Sequence, residues 1–232
     1  MRCIPALLLL LYGGYTFGQS IRADSSFVAA ASKKAIALYT TGIAGQSHLY
    51  NGNAYIEYQQ QKEEHPYFID EWIDGSVVYE NELYQNVPLL YDINKDRLIT
   101  DHQYNINKIQ LISSKVKSFT LKQHQFVNLM ESGIPPGFYE LLYDGKTKVY
   151  AQWKKILQET ITNQSIERRF DNKNGYYIFK DGKMIQVKSK KSVLHVFADQ
   201  KSALRKMRGT RFKTDRAKSI REMAQHYDQL QP

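Results

Sequence analysis

Asp92, Asn94 and Asp96 have the first three spacings of a calcium-binding loop, the pattern richest in chemistry along this chain. Such a loop also needs glycine at its sixth position and glutamate at its twelfth. Those places hold Arg97 and Gln103. A turn between two strands accounts for the three residues better, because Asp and Asn cap turns through their own side chains. The six histidines, His48, His65, His102, His124, His195 and His226, include no pair at the spacing of a helical zinc motif. Asp101 could orient His102 only if the two shared a face, and neighbours on a strand point opposite ways. A serine nucleophile on a strained Gly-x-Ser-x-Gly turn is absent from the sequence. Acids are plentiful around Trp72 (Glu63, Glu64, Asp70, Glu71 and Asp74). A glycosidase needs two carboxylates held a fixed distance apart in a cleft, and a solvated acidic loop explains these equally. No catalytic residue, metal or cofactor is therefore expected.

Charge is the more informative chemistry. Residues 1–145 carry 11 Lys and Arg against 15 Asp and Glu, a net of −4, and residues 146–232 carry 21 against 8, a net of +13. A concentrated basic region attracts polyanions and anionic surfaces. The candidate anion- or partner-binding residues are Lys188, Lys190, Lys191, Arg205, Lys206 and Arg208, with Tyr176 and Tyr177 just upstream. The alternative is that these cations only solvate exposed helix faces. Seventeen tyrosines suit sugar or protein contact surfaces, and equally suit half-buried strands.

The elements that must position these groups follow from periodicity. Asp24, Ser25 and Ser26 can cap a short helix with Phe27, Ala31, Ala35 and Leu38 on one face, ended by Gly42. From Ala54 to Leu129 apolar residues alternate, as in Ala54, Ile56 and Tyr58, or Val77 and Tyr79 after an Asp74-Gly75 turn, predicting an antiparallel meander. His65-Pro66 and Val87-Pro88 are expected at strand edges or in loops. Gly133 to Gly137, with Pro135 and Pro136 inside, is the best candidate sub-boundary. Tyr139 to Lys146 recurs 37 residues on as Tyr176 to Lys183, each copy with an Asp-Gly pair. Both predict tight primed hairpins of one sheet. Three helical stretches then follow, Ser192 to Phe197, one from Asp199 to Gly209, and Thr214 to about Leu230. The last places Ala217, Ile220, Ala224 and Tyr227 on one stripe. The expected fold class is α+β: an antiparallel strand-rich sheet of meander and hairpins, with a short N-terminal helix and basic C-terminal helices.

The first residues predict the compartment. Arg2, the apolar run from Ala6 to Tyr12, and Thr16, Phe17 and Gly18 follow the order of a signal peptide cut before Gln19. The run is too short for a bilayer span of about 20 residues. The single cysteine, Cys3, precedes the apolar run, whereas a lipoprotein needs it just after. Residues 1–18 are thus read as a signal peptide and 19–232 as one exported domain, periplasmic or secreted, not lipidated and free of disulfides. At that length a noncovalent core suffices.

The stretches Val87 to Asp92, Phe138 to Lys148 and Tyr176 to Phe197, followed by Lys/Arg-rich helices, resemble an uncharacterised family of exported proteins common in Bacteroidota. The resemblance covers most of the mature chain. It implies export and domain extent and, because that family has no assigned activity, carries over no catalytic residue. The expected function is non-enzymatic binding of an anionic envelope polymer or an acidic protein through the basic C-terminal region. Nucleic acid and a transmembrane segment are not expected. The alternatives are an envelope-polymer hydrolase built from dispersed acids and histidines, and a carrier of a hydrophobic ligand in a curved sheet.

Overall fold

Alternating apolar residues do become strands, and a single sheet takes most of them. The computed structural model describes residues 34, 48–58, 64–101, 108–130, 133–161, 166–207 and 209–231, without the side chains of 166 and 167. The expected signal segment and, but for Lys34, the helix expected after it lie outside the described residues. The elements below belong to one unit, Gly45–Pro232. Its strands are β1 (Asn53–Ala54), β2 (Ile73–Tyr79), β3 (Glu82–Asp92), β4 (Arg97–Asp101), β5 (Lys108–Gln110), β6 (Val116–Leu121) and β7 (His124–Leu129). They continue as β8 (Gly137–Asp144), β9 (Lys148–Gln152), β10 (Lys155–Ile161), β11 (Ile166–Asn172), β12 (Gly175–Lys180) and β13 (Lys183–Val187). Three helices end the chain: α1 (Lys190–Val196), α2 (Lys201–Arg205) and α3 (Arg216–Leu230).

Eleven strands form one sheet in the order β1-β5-β4-β3-β2-β6-β7-β8-β9-β12-β13, and β10 pairs only with β11. Every pairing is antiparallel. The sheet is strongly curved. Strands β3 and β8 are four places apart, which in a flat sheet means about 19 Å. Yet the rings of Tyr91 on β3 and Phe138 on β8 have centroids 5.9 Å apart. Phe119 stacks on Phe126 at 4.7 Å, and Tyr91 meets both edge-on. These rings are essentially inaccessible to solvent, so the concave side is filled by the chain's own side chains.

Asp96 holds the curl together. It lies in the β3–β4 turn and accepts hydrogen bonds from the Tyr91 hydroxyl (2.7 Å) and from the Phe138 amide on β8 (3.3 Å). The neighbouring Gly137 has φ +148°, and a Cβ there would collide with the Asp96 carboxylate, so only glycine admits this approach. Burial raises the Asp96 pKa, against the opposing hydrogen bond from Tyr91. The folded chain therefore holds this proton more tightly than the unfolded chain, so this group removes stability as pH rises from the ordinary Asp range through the raised value. Asp96→Asn should abolish that dependence. Melting curves of both proteins across pH 3–7 test it, and parallel curves would overturn it.

The Asp92–Asp96 region is a turn between β3 and β4, as its residue types predict. Elsewhere the local signals fail. Asp74-Gly75 is not a turn but lies inside β2, at a bulge between Gly75 and Ser76. The turn after β2 is Glu80-Asn81, both with positive φ, as a primed hairpin requires. Val87-Pro88 lies inside β3, where pairing with β4 begins one residue later at Leu89, so no donor is needed from the proline on that side. Of the two Asp-Gly hairpins, Asp181-Gly182 is the primed turn, at φ 51° and 73°. The β8–β9 connection instead spans residues 145–147, and Asp228 on α3 accepts from the amide and hydroxyl of Thr147. Both hairpins do belong to one sheet, side by side. The segment 133–137 joins β7 to β8, which pair with each other, so the sheet runs through it unbroken.

The helices start where caps allow. Ser189 and Ser192 form a reciprocal capping box, so α1 begins at Lys190 rather than Ser192. Asp215 accepts from the Lys218 amide and sets the start of α3. Leu204, Ile220, Met223, Ala224 and Tyr227 then pack with Val149, Ala151, Tyr176 and Ile178 of β9 and β12.

Candidate functional site

The helical cap over β9, β12 and β13 concentrates the chain's positive charge. Between Lys183 and Arg221 the sequence holds thirteen Lys and Arg against two Asp. Neither acid is free to neutralise them. Asp199 accepts from the Tyr227 hydroxyl (2.8 Å), from the Gln231 amide (3.0 Å) and from Lys180 (3.4 Å). Burial works to raise its pKa, but the hydrogen bond from Tyr227 and the charge of Lys180 hold it below the usual range. Asp215 is occupied as the α3 cap. Among the described residues, every ion pair is made by a basic residue at or before Lys180.

Of the six cations singled out by the sequence, Lys188, Lys191, Arg205 and Lys206 are exposed. Lys190 is half-buried, and its ammonium donates to the Met207 carbonyl (3.4 Å) and the Thr210 hydroxyl (3.3 Å). Its role is therefore to tie the start of α1 to the segment that follows α2. Arg208 lies outside the described residues. Lys201, Arg211, Lys213 and Lys218 are further exposed cations of the cap that motif reading passed over, although the charge split between the chain's halves contained them. Arg216 is exposed as well and lies over the Tyr176 ring at 5.8 Å, a cation–π contact.

The expected chemistry elsewhere is mostly consumed internally. Glu71 pairs with Lys122, Glu64 accepts from the Phe170 amide, and Glu63 lies outside the described residues, as does His102. His48 faces Glu80 at 3.4 Å, and His65 stacks on Tyr67 with its pKa lowered by burial and by Lys155. One acid–histidine pair is well enclosed, and the sequence reading did not single it out. Glu140 on β8 accepts from Nδ1 of His124 (2.6 Å) and from Nε1 of Trp153 (2.5 Å). Both carboxylate oxygens are thereby occupied, and the Phe68 ring covers His124 edge-on at 4.9 Å. Among the described residues, no group of three or more His, Cys, Asp or Glu is placed to hold a metal ion, and no helix is long and apolar enough to cross a membrane.

Among the described residues, the exposed cations of the cap thus form a group without an ion-pair partner. The chain matches no protein-family model, no curated protein and no solved structure.

Proposed function

We propose that this is an exported, non-enzymatic binding protein that docks on an anionic partner through its basic helical cap. One observation carries the reading: the cap's exposed cations make no ion pair among the described residues, while Asp199 and Asp215, the two acids between Lys183 and Arg221, are held by internal bonds. Unneutralised like charges repel one another, which favours an anion from outside the chain. Export, as the order of residues 1–18 suggests, and the resemblance to exported Bacteroidota proteins make an envelope polymer or an acidic protein a better partner class than nucleic acid.

The test is the variant carrying Lys188→Glu and Lys191→Glu, with Lys190 kept because it supports the fold. A lysine near an anionic surface contributes about 1 kcal/mol, so reversing two should weaken binding to immobilised heparin, used as a generic polyanion, by tenfold or more. The parent chain should also elute progressively earlier as salt in the loading buffer rises. Equal retention of variant and parent would overturn the proposal.

A further inference from the structure

The same basic region includes the free edge of the main sheet. Strand β13 ends the sheet on that side and is mostly solvent-exposed, with Lys183, Ile185 and Gln186 outward. Its register fixes which backbone groups are unpaired. Lys180 pairs with Lys183 across the two-residue turn, Ile178 with Ile185, and Tyr176 with Val187. A two-residue hairpin makes its first pair hydrogen-bonded, and bonded pairs then alternate with non-bonded ones. The N–H and C=O of Met184 and Gln186 therefore point away from β12, and neither makes another backbone hydrogen bond among the described residues. The free edge stops at Lys188, whose amide is held by the Ser192 hydroxyl at 2.9 Å.

An open edge is a template for another strand, and its charge selects which strand. Exposed Lys183 and Lys188 stand at its two ends, with Lys191 beyond. These lysines oppose pairing with β13 of a second copy, because like charges would face each other across the new ladder. An acidic strand meets the opposite condition. Resting on the reading above, we propose that β13 accepts an extended acidic segment of a protein partner as a twelfth strand. The segment would place carboxylates opposite Lys183 and Lys188 and a β-branched residue beside Ile185. Main-chain bonds to Met184 and Gln186 would supply affinity, and the charged ends would supply selectivity.

Proline at position 186 separates this edge from simple electrostatics. It deletes an outward N–H while leaving the bonds to β12 intact, a setting in which a strand tolerates proline. The probe is a ten-residue synthetic peptide with two Glu five residues apart and Val and Thr at the positions between them, so that a carboxylate can face each lysine, followed by fluorescence anisotropy on the full chain. Gln186→Pro should weaken peptide binding about tenfold and leave heparin retention unchanged. Hydrogen exchange on the parent chain guards against misfolding of the variant, because the amides of Met184 and Gln186 should gain protection when peptide is added. Unchanged exchange at both amides, or undiminished peptide binding by a folded Gln186→Pro chain, overturns the edge proposal. Heparin retention that resists Lys188→Glu with Lys191→Glu overturns the underlying reading instead. Binding of dextran sulfate but not of the peptide also sinks the edge proposal, since a polysaccharide cannot extend a sheet.

Discussion

Asp92→Ala should lower the chain's stability by roughly 2–4 kcal/mol, because it leaves buried donors unpaired at about 1–3 kcal/mol each. Asp92 is fully buried and serves four donors at once. It accepts from the hydroxyls of Tyr55 (2.9 Å) and Tyr58 (3.0 Å) and from the amides of Asn94 and Lys95 (2.9 Å each). The two amides form the β3–β4 turn, and the two phenols pin the segment around β1 onto β3. Burial first, then the hydrogen bond with Tyr67 and the Asp92 charge at Tyr55, and the Asp92 charge at Tyr58, keep both phenols well above their ordinary pKa, so they remain donors. Alanine leaves both turn amides without the carboxylate that accepts from them, while Tyr58 keeps Asn94 at 2.7 Å and Tyr55 keeps its hydrogen bond with Tyr67. Asparagine keeps one acceptor oxygen and should cost less, about 1–2 kcal/mol. Urea unfolding of the three proteins checks the order, and an alanine variant within 0.5 kcal/mol of the parent would refute the role given to this carboxylate.

Asp92 also illustrates what could be read from residues alone. The spacing of Asp92, Asn94 and Asp96, with Arg97 where glycine was needed, pointed correctly to a turn, because turn capping is local chemistry. Its connection to Tyr55 and Tyr58, more than thirty residues upstream, depends on strand pairing that no window of sequence contains. Asp181-Gly182 was legible for the same local reason. Asp74-Gly75 misled, because pairing of both residues with β3, and of β2 with β6 from Ser76 onward, outweighs a turn preference that is weak by comparison. The sheet's curl was expected only as an alternative. It arises from aromatic rings that meet across strands distant in order, as Tyr91 and Phe138 do, and its concave side is packed with them.

The candidate site divides along the same line. Net charge is additive, so the basic cap was visible in the composition of residues 146–232. Which cations face solvent is decided by packing, and packing turned Lys190 inward. Glu140 did leave a trace: in an alternating strand it occupies the same face as the fully buried Phe138. A charged residue at such a position requires partners. Those partners, His124 and Trp153, come from β7 and from the residue after β9, which only the sheet brings together.

Glu140→Ala should likewise cost about 3–5 kcal/mol, and it tests how the two halves of the sheet are joined. The rings of β3, β6, β7 and β8 form one core, and β9, β12 and the helices form another. Trp153 packs against both, with its indole N–H fixed by Glu140. Glu140 itself pairs with Phe126 on one side and Ala151 on the other, one residue from each core. Truncation to alanine leaves the Trp153 and His124 donors facing an apolar gap, so the penalty combines lost bonds with a cavity. Glutamine fills the space but can accept from only one of the two donors, and should fall midway. His124→Ala removes one bond only, and combined with Glu140→Ala it should cost less than the two single losses added, a coupling of about 1–2 kcal/mol. Chemical unfolding followed by tryptophan fluorescence measures all five proteins. If the two substitutions add without coupling, the His124–Glu140 bond does not form in solution. If they couple and Glu140→Ala also separates the unfolding of the two cores into distinct transitions, this carboxylate is what makes the sheet unfold as one unit.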